Sequence, residues 1–340
     1  MASRQEKGFV LITALWTLMF LAVLAVTLLA GVRQRIILFQ RLEDRSRVQL
    51  AVEAGVKKAV AVLLDDMENS QFKLTPQAKV RRMNNPGEFA GIQVGEMRVE
   101  VVHEAMDDKS GDMLTAWGLA DEQGKINLNT ASADTIKRLI VEVLGWGGAE
   151  AKGLADAIAD WRDYGRHDAQ GFFSDDYYKN LEFPYAIKER PFERPDELLL
   201  VKGIDLKVYG SLLPFVTVYG DGRVNINTVS KKGLVALGID PGVADKVLTA
   251  RRGADNTEAT GDDHIFSNTF DVVSETAKAI ALEASEARQI DALNARNLLT
   301  TESGVYSFLS RVLSSDGAYK RSVRCVFSVF ESRIVYWYEK

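Results

Sequence analysis

FVLITALWTLMFLAVLAVTLLAGV, residues 9–32, is uncharged and free of proline from end to end. At about 1.5 Å per residue, a helix over these residues exceeds the roughly 30 Å hydrocarbon core of a bilayer, so it is long enough to cross one with a tilt. An ordinary secretory signal has a shorter apolar core and a small-x-small cleavage site after it, and this stretch has neither. The helical pattern continues instead: between Phe9 and Glu68 there is no proline, and glycine occurs only at Gly31 and Gly55. Val52, Val56, Val60 and Leu63 recur every three or four residues while Glu53, Lys57 and Asp65 fall elsewhere, the pattern of an amphipathic helix. One helix over residues 9–68 is about 90 Å long. It reads as a stalk whose first half lies in lipid.

Composition bounds the remainder. The 340 residues leave room for an anchor plus one large or two moderate domains, and 46% apolar with 26% charged residues is ordinary for a folded body. A formal net charge of -5 attracts neither nucleic acid nor an anionic membrane overall. Cys325 is the only cysteine, which excludes an intrachain disulfide and any cysteine pair for redox or zinc chemistry. His103, His167 and His264 are isolated, with no HExxH pair and no phosphate-loop motif, so an enzyme is not expected. His103 ends a strand pattern and reads as a surface or edge residue. Trp161, Tyr177, Tyr178 and Trp337 read as packing residues.

Beyond the stalk, residues 76–91 read as a connection, with Asn84-Asn85-Pro86-Gly87 as a turn cluster. Strand patterns follow at 92–102, changing phase around Gly95-Glu96, and at 113–119. They return only at 305–313, 319–330 and 334–338, with Asp316-Gly317 as a hairpin turn between the first two. The expected class is α+β: a long N-terminal helix packed on one antiparallel sheet drawn from both flanks, with a large, mainly helical domain inserted between the strands. The expected divisions are a leader at 1–8, the transmembrane helix and stalk at 9–68, the first part of the sheet at 69–124, the insert at 125–300 and the C-terminal strands at 301–340.

The insert contains a repeat. Gly124-Lys125-Ile126-Asn127-Leu128-Asn129-Thr130-Ala131-Ser132 is matched by Gly222-Arg223-Val224-Asn225-Ile226-Asn227-Thr228-Val229-Ser230. Thr or Ser can cap a following helix and asparagine can bridge loop backbone groups, so these read as capping elements of duplicated helical units, with a ligand-binding asparagine pair as the alternative. Leu237-Gly238-Ile239-Asp240-Pro241-Gly242, followed by Ala244, Val247 and Arg251, resembles a helix-hairpin-helix, as does Val201-Lys202-Gly203-Ile204-Asp205. The phrase Val224-Asn225-Ile226-Asn227-Thr228 is also similar to the start of the DNA-binding domain of competence proteins. Asp205 and Asp240 stand where the usual hairpin has glycine, and a carboxylate there repels phosphate. Arg251-Arg252 is a small basic spot, read as a solvated helix face. Nucleic acid is not expected as a partner.

The leader, the Gly8-Phe9 junction and the span running into an amphipathic helix resemble the class III signal of type IV pilins and type II secretion pseudopilins, which makes the expected fold pilin-like. The resemblance implies that a prepilin peptidase cuts between Gly8 and Phe9 and that Phe9 is then N-methylated. That family usually has a glutamate at the fifth mature position, where it neutralises a neighbour's terminal ammonium; here the position is Thr13. A subunit with no neighbour above it has reason to lack a buried carboxylate, and this loss resembles the K minor pseudopilins. Ala157 to Asp163, Asp175-Asp176-Tyr177-Tyr178, Pro184-Tyr185, Arg190-Pro191-Phe192, Glu197-Leu198, Val201-Lys202-Gly203 and Leu212 to Val216 follow the order of that family's helical insert. The resemblance runs from Gly8 to about Thr228 in several specific islands, and more weakly onward to Ser303.

It implies a minor pseudopilin at the tip of the pseudopilus, helping to initiate assembly for export of folded proteins across the outer membrane. Its partners would be the I and J minor pseudopilins, the pseudopilus and the prepilin peptidase. The anchor would sit in the inner membrane, single pass, with the body in the periplasm. Arg33, Arg35, Arg41, Arg45 and Arg47 outnumber Arg4 and Lys7, so a charge count alone orients the span the other way, and the leader motif is followed here. The alternatives are a minor pilin of a type IV pilus and a membrane-tethered, competence-like DNA-binding protein. Asp160, Asp163, Asp168, Asp175 and Asp176 gather in a loop-rich segment, and hard carboxylate oxygens suit calcium. Because members of the resembled family hold calcium in this insert, the resemblance implies calcium as cofactor, with Asp163, Asp168, Asp175 and Asp176 as ligands. The family's Gly-Ala-Glu stretch before the paired tyrosines reads Phe173-Ser174-Asp175 here. A second acidic stretch, Asp255, Glu258, Asp262 and Asp263, matches no EF-hand spacing.

Overall fold

A proline-free sequence of 68 residues opens the chain as one helix, α1 (Ala2–Asn69). The computed structural model describes residues 2–70, 74–106, 113–163, 175–314 and 316–339. The chain divides into two units, Met1–Ala51 and Val52–Lys340. In the second unit, α1 buries Val52, Val56, Ala59 and Leu63. Each of the valines and the leucine contributes about 1.5–3 kcal/mol of apolar burial. Gly55 brings the helix so close to the sheet that a Cβ there would overlap Val99 and Ser310. The Ser310 hydroxyl donates to the Val52 carbonyl at 2.9 Å across the same contact.

The stretch at 76–91, expected as a connection, folds as two short helices, α2 (Pro76–Met83) and α3 (Pro86–Phe89). Their starts are written locally. The Thr75 hydroxyl accepts from the Ala78 amide at 3.1 Å, the Asn85 side chain accepts from Glu88 at 3.3 Å, and a proline opens each helix. What the turn cluster conceals is burial of charged side chains: Lys79 and Arg82 are 1% and 2% exposed. The Arg82 guanidinium donates to Asp66 of α1 and, at 3.0 Å, to the Tyr306 hydroxyl.

The strands β1 (Ile92–Val94) and β2 (Met97–Met106) form a hairpin whose turn holds Gly95 at φ 59°, which is the phase change in the sequence. β3 (Met113–Trp117) pairs with β2, and the short β4 (Ala120–Asp121) leads into the insert. Within the insert come β5 (Ile126–Asn127), α4 (Ala133–Leu144), α5 (Gly148–Arg162), α6 (Asp175–Lys179), a 3-10 turn at Pro195–Leu200, α7 (Leu206–Leu212) and β6 (Val216–Thr217). A second series follows: β7 (Val224–Asn225), α8 (Lys231–Leu237), α9 (Pro241–Arg251), α10 (Val272–Ala279), α11 (Ala284–Ala295) and β8 (Leu299–Thr300). The chain closes with β9 (Val305–Leu313), β10 (Tyr319–Ser328) and β11 (Arg333–Glu339).

The main sheet runs β1-β2-β9-β10-β11, antiparallel throughout, with β3 also on β2 and β4 also on β9. The two flanks meet where Val99 pairs with Val312 and Val101 with Ser310. This is the α+β arrangement expected. Strand alternation puts Tyr306, Phe308, Ser310 and Val312 of β9, all buried, on one face. The insert carries its own large core, from Ile126 through Trp161, Phe215 and Leu234 to Leu299.

Candidate functional site

The span in α1 has the properties of a lipid-facing or helix-facing surface. Every large apolar side chain from Phe9 to Val32 is at least 44% exposed, and the helix is long and apolar enough to cross a membrane. Its hydroxyls need no outside partner. Thr13 Oγ1 donates to the carbonyls of Val10 at 3.0 Å and Phe9 at 3.1 Å, Thr17 to Ala14 at 2.9 Å and Thr27 to Leu24 at 2.9 Å. Each hydroxyl is therefore satisfied within its own turn, as suits a bilayer. A glutamate at position 13 has no such internal solution for its charge.

The two repeat copies build the same device twice. In the first, β5 pairs in parallel with β6; in the second, β7 pairs in parallel with β8. The first asparagine of each copy turns the chain: Asn127 Oδ1 accepts from the Asn129 amide at 2.8 Å, and Asn225 Oδ1 from the Asn227 amide at 3.0 Å. The second asparagine clamps a distant backbone, Asn129 at Phe192 and Asn227 at Phe266. Ser132 and Ser230 cap α4 and α8 by accepting from the amides of Thr135 and Gly233. Gly145 and Gly238 end these helices in the left-handed region, at φ 68° and 106°. Arg162 donates to the carbonyls of Leu128 and Ala131, and Arg251 to the equivalent carbonyls of Ile226 and Val229. The asparagine side chains are engaged within the chain, by backbone groups and, at Asn225, by the side chains of Asp121 and Ser303. Arg251, expected on a solvated face, is 2% exposed.

The insert is tied to the main sheet by buried carboxylates. Asp121 Oδ2 accepts from Ser303 and Thr228 at 2.6 Å and from Asn225 at 2.9 Å, while Oδ1 accepts from the Gln123 amide at 2.8 Å. Burial raises its pKa, against the pull of those donors. For Glu122, burial acts upward, yet the Lys125 ammonium at 2.5 Å and the hydroxyls of Ser307 and Thr217 hold it below its usual value. Lys79 of α2 reaches Glu258 at 2.7 Å and Asp263 at 2.6 Å. Of the second acidic stretch, Glu258 and Asp263 are thus paired with the chain's own cations, while Asp255 and Asp262 accept from nearby backbone amides. His103, expected at the surface, is 8% exposed; burial, reinforced by the Lys125 charge, lowers its pKa to about 4.

A family model described as type II secretion system (T2SS), protein K matches residues 117–221. That range begins at the end of β3 and contains the whole first repeat copy. The match is to about a third of the chain. The type II secretion system protein K of Pseudomonas aeruginosa is 33% identical over 144 residues, 39% of this chain and 43% of that protein. The protein K of Aeromonas hydrophila is 36% identical over 118 residues, 30% of this chain and 34% of that protein. The matched stretches span less than half the length of these curated relatives. A crystal structure of the GspK-GspI-GspJ complex from the enterotoxigenic Escherichia coli type 2 secretion system has the same fold, with a TM-score of 0.63 at 15% identity, covering 88% of this chain and 99% of that one.

Within the matched region, Asp163 caps the end of α5 and its carboxylate accepts from Arg162 Nε at 3.1 Å. Asp168, and the side chains of Asp175 and Asp176 in α6, lie outside the described residues. Among the described residues, no group of three or more His, Cys, Asp or Glu is gathered to hold a metal ion. The aromatic cluster of the insert is a packing feature: Trp161 and Tyr178 are each 3% exposed, with ring centroids 5.8 Å apart. Trp337, expected among the packing residues, is 38% exposed on β11.

The hairpin of α8 and α9, similar in sequence to a DNA-binding motif, faces protein. Gln289 of α11 donates to Asp240 Oδ2 at 2.6 Å and accepts from the Asp240 amide at 2.8 Å. Glu286 holds Lys246 through both carboxylate oxygens at 2.7 Å. A phosphate approaching this turn would meet carboxylates and a helix in its path.

Proposed function

We propose that this chain is a minor pseudopilin of a type II secretion system, located at the pseudopilus tip with the I and J minor pseudopilins and helping to initiate the assembly that exports folded proteins. The observation that carries this reading is a match to the protein K family model in the same chain as an uncharged helix at Phe9–Val32 whose large apolar side chains are all exposed. The complex named for the E. coli relative, GspK with GspI and GspJ, supports the choice of partners. Assembly is read as side-by-side packing of N-terminal helices, with the bulky insert accommodated only at a filament end.

The leader 1–8 is removed between Gly8 and Phe9 by a prepilin peptidase, and Phe9 is methylated. The anchor lies in the inner membrane and the body in the periplasm. Thr13, in place of glutamate, marks a subunit with no neighbour above it. The domain division proposed is 9–68 for anchor and stalk, 69–124 and 301–340 for the sheet, and 125–300 for the insert. The work is structural rather than catalytic. Calcium, held by Asp163, Asp168, Asp175 and Asp176, is proposed on the affinity of carboxylate oxygens for that ion; equal melting temperatures in calcium and in excess chelator would remove it.

Deletion of the gene in its native host should abolish appearance of folded exoproteins in the medium, with cargo trapped in the periplasm. A plasmid copy should restore export. Unchanged export in the deletion strain would contradict the function.

A further inference from the structure

The sheet face turned away from α1 is not fully covered by the insert. Ser310 points to α1, so strand alternation turns Leu309 to the other face, together with Arg324 opposite it and Val326 opposite Tyr336. Over these four residues lies a cavity of about 150 Å³, roofed by Pro195, Tyr209, Pro214 and Tyr219 of the insert. A cavity of about that size holds a benzene ring when its walls are apolar.

Its walls carry donors that the chain itself does not use. The Tyr219 hydroxyl is buried without a hydrogen-bond partner, and among the described residues the hydroxyls of Tyr209 and Tyr336 and the Arg324 guanidinium have none either. Burial raises the pKa of all three phenols, so each keeps a proton to donate. Other charges at the cavity are committed. Lys125 holds Glu122 at 2.5 Å, Glu100 holds Arg311 at 2.7 Å, and Arg194, 5.7 Å from the centre of the Tyr336 ring, holds Asp196. Glu104, which also lines the cavity, is exposed on β2, and with Asp196 it disfavours a ligand of more than one negative charge. Unmet donors over apolar walls complement acceptor oxygens on a small, singly charged, otherwise apolar body.

We propose that this cavity binds a small monocarboxylate with a flat apolar body, its carboxylate held by Arg324 and the surrounding phenols and its body against Leu309, Val326 and Val216. A guanidinium fork and phenolic hydroxyls together present donors to both carboxylate oxygens. The lining is drawn from two parts of the fold, Tyr209 and Tyr219 from the insert, Arg324 and Tyr336 from the sheet. A bound acid therefore bridges the two and stabilises the insert on the sheet by linkage. The inference is independent of the assembly reading above.

The test uses the full-length chain in nonionic detergent micelles, with para-fluorobenzoate as the probe, read by fluorine NMR against empty micelles. The probe should saturate with a dissociation constant of about 1 mM or below, be displaced by unlabelled benzoate and raise the melting temperature. Uncharged para-fluorobenzamide should bind at least about tenfold more weakly. Arg324→Gln should weaken binding of the acid about tenfold and Tyr219→Phe about threefold, both with the unliganded melting temperature of wild type, because neither group has a partner in the chain to lose. A response that grows with concentration without saturating, equal binding of acid and amide, or binding unchanged in both variants overturns the site. Should a variant fail to fold, the comparison of acid with amide on the wild-type chain decides alone.

Discussion

Asn227 and Phe266, far apart in sequence, exchange two hydrogen bonds: the Asn227 Nδ2 donates to the Phe266 carbonyl at 2.9 Å, and the Phe266 amide donates to Asn227 Oδ1 at 2.8 Å. Asn227 is fully buried and Phe266 is core. Asn129 holds Phe192 the same way in the first copy, at 2.9 and 2.7 Å. One side chain thus replaces a strand that the short β5 and β7 do not extend far enough to provide. Asn227→Ala strands a buried amide and carbonyl and should destabilise the chain by about 2–4 kcal/mol in denaturant unfolding. Asn129→Ala, at a half-buried position, should have a smaller effect; equal and negligible losses would contradict the clamp.

Arg251 makes a sharper case. Its guanidinium donates to Ile226 and Val229 at 2.9 and 2.8 Å and to Glu258 at 2.5 Å, all from a side chain 2% exposed. Arg251→Met leaves two carbonyls and a carboxylate short of a donor, a loss of about 3–5 kcal/mol. Lysine should not rescue it, because a single ammonium lacks the planar fork that reaches both sides. A lysine variant as stable as wild type would disprove that geometry.

Two groups contribute to the acid limb of stability. His103 has its folded pKa depressed to about 4 against an unfolded value near 6.5, so the unfolded chain binds the proton first. Its contribution, about 3 kcal/mol, is present above pH 6.5 and is lost as pH falls towards 4. Glu258 is held at about 2: burial acts upward, but Arg251 and Lys79 outweigh it, so its stabilisation is present above about 4.5 and is lost as pH falls towards 2. His103→Gln should flatten the stability profile between pH 6.5 and 4, and Glu258→Gln the segment below. A profile of unchanged slope in both variants would refute these assignments.

Thr13 tests the tip reading from the opposite direction. Its hydroxyl serves only its own turn, so Thr13→Val should leave recovery of partners within about twofold of wild type. Thr13→Glu places a carboxylate in an apolar surface with no partner charge supplied by this chain, and should lower recovery several-fold, because an unpaired charge in an apolar environment is costly. Higher recovery of the glutamate variant would mean that a neighbouring terminal ammonium is waiting there, and the tip position would be wrong.

Much of this was legible in the residues. The period of α1, the glycine at the β1–β2 turn and the valine-rich alternation of β9 and β10 all report local geometry, and local geometry is what a sequence displays. The α2 segment was not, because Pro86 and the asparagines signal turns while the burial of Lys79 and Arg82 depends on acids at Asp66, Glu258 and Asp263 that only the fold brings near. His103 was misplaced for the same reason: its cover comes from elements distant in the chain. The repeat was visible, but the parallel partners of β5 and β7 lie 90 and 75 residues away, at Val216 and Leu299, in two-residue strands too short to carry a pattern. Arg251 could have been found by one signal, its offset of 25 residues from Ile226 beside the offset of 34 between Arg162 and Leu128 in the other copy.

The central claim is an assembly, and isolation of that assembly tests it most directly. The full-length chain, co-expressed with the I and J minor pseudopilins of its own host and purified from solubilised membranes, should yield a ternary complex, with the chain beginning at a methylated Phe9 by mass spectrometry. A chain that retains residues 1–8 and purifies alone, under conditions where I and J pair with each other, would contradict the account.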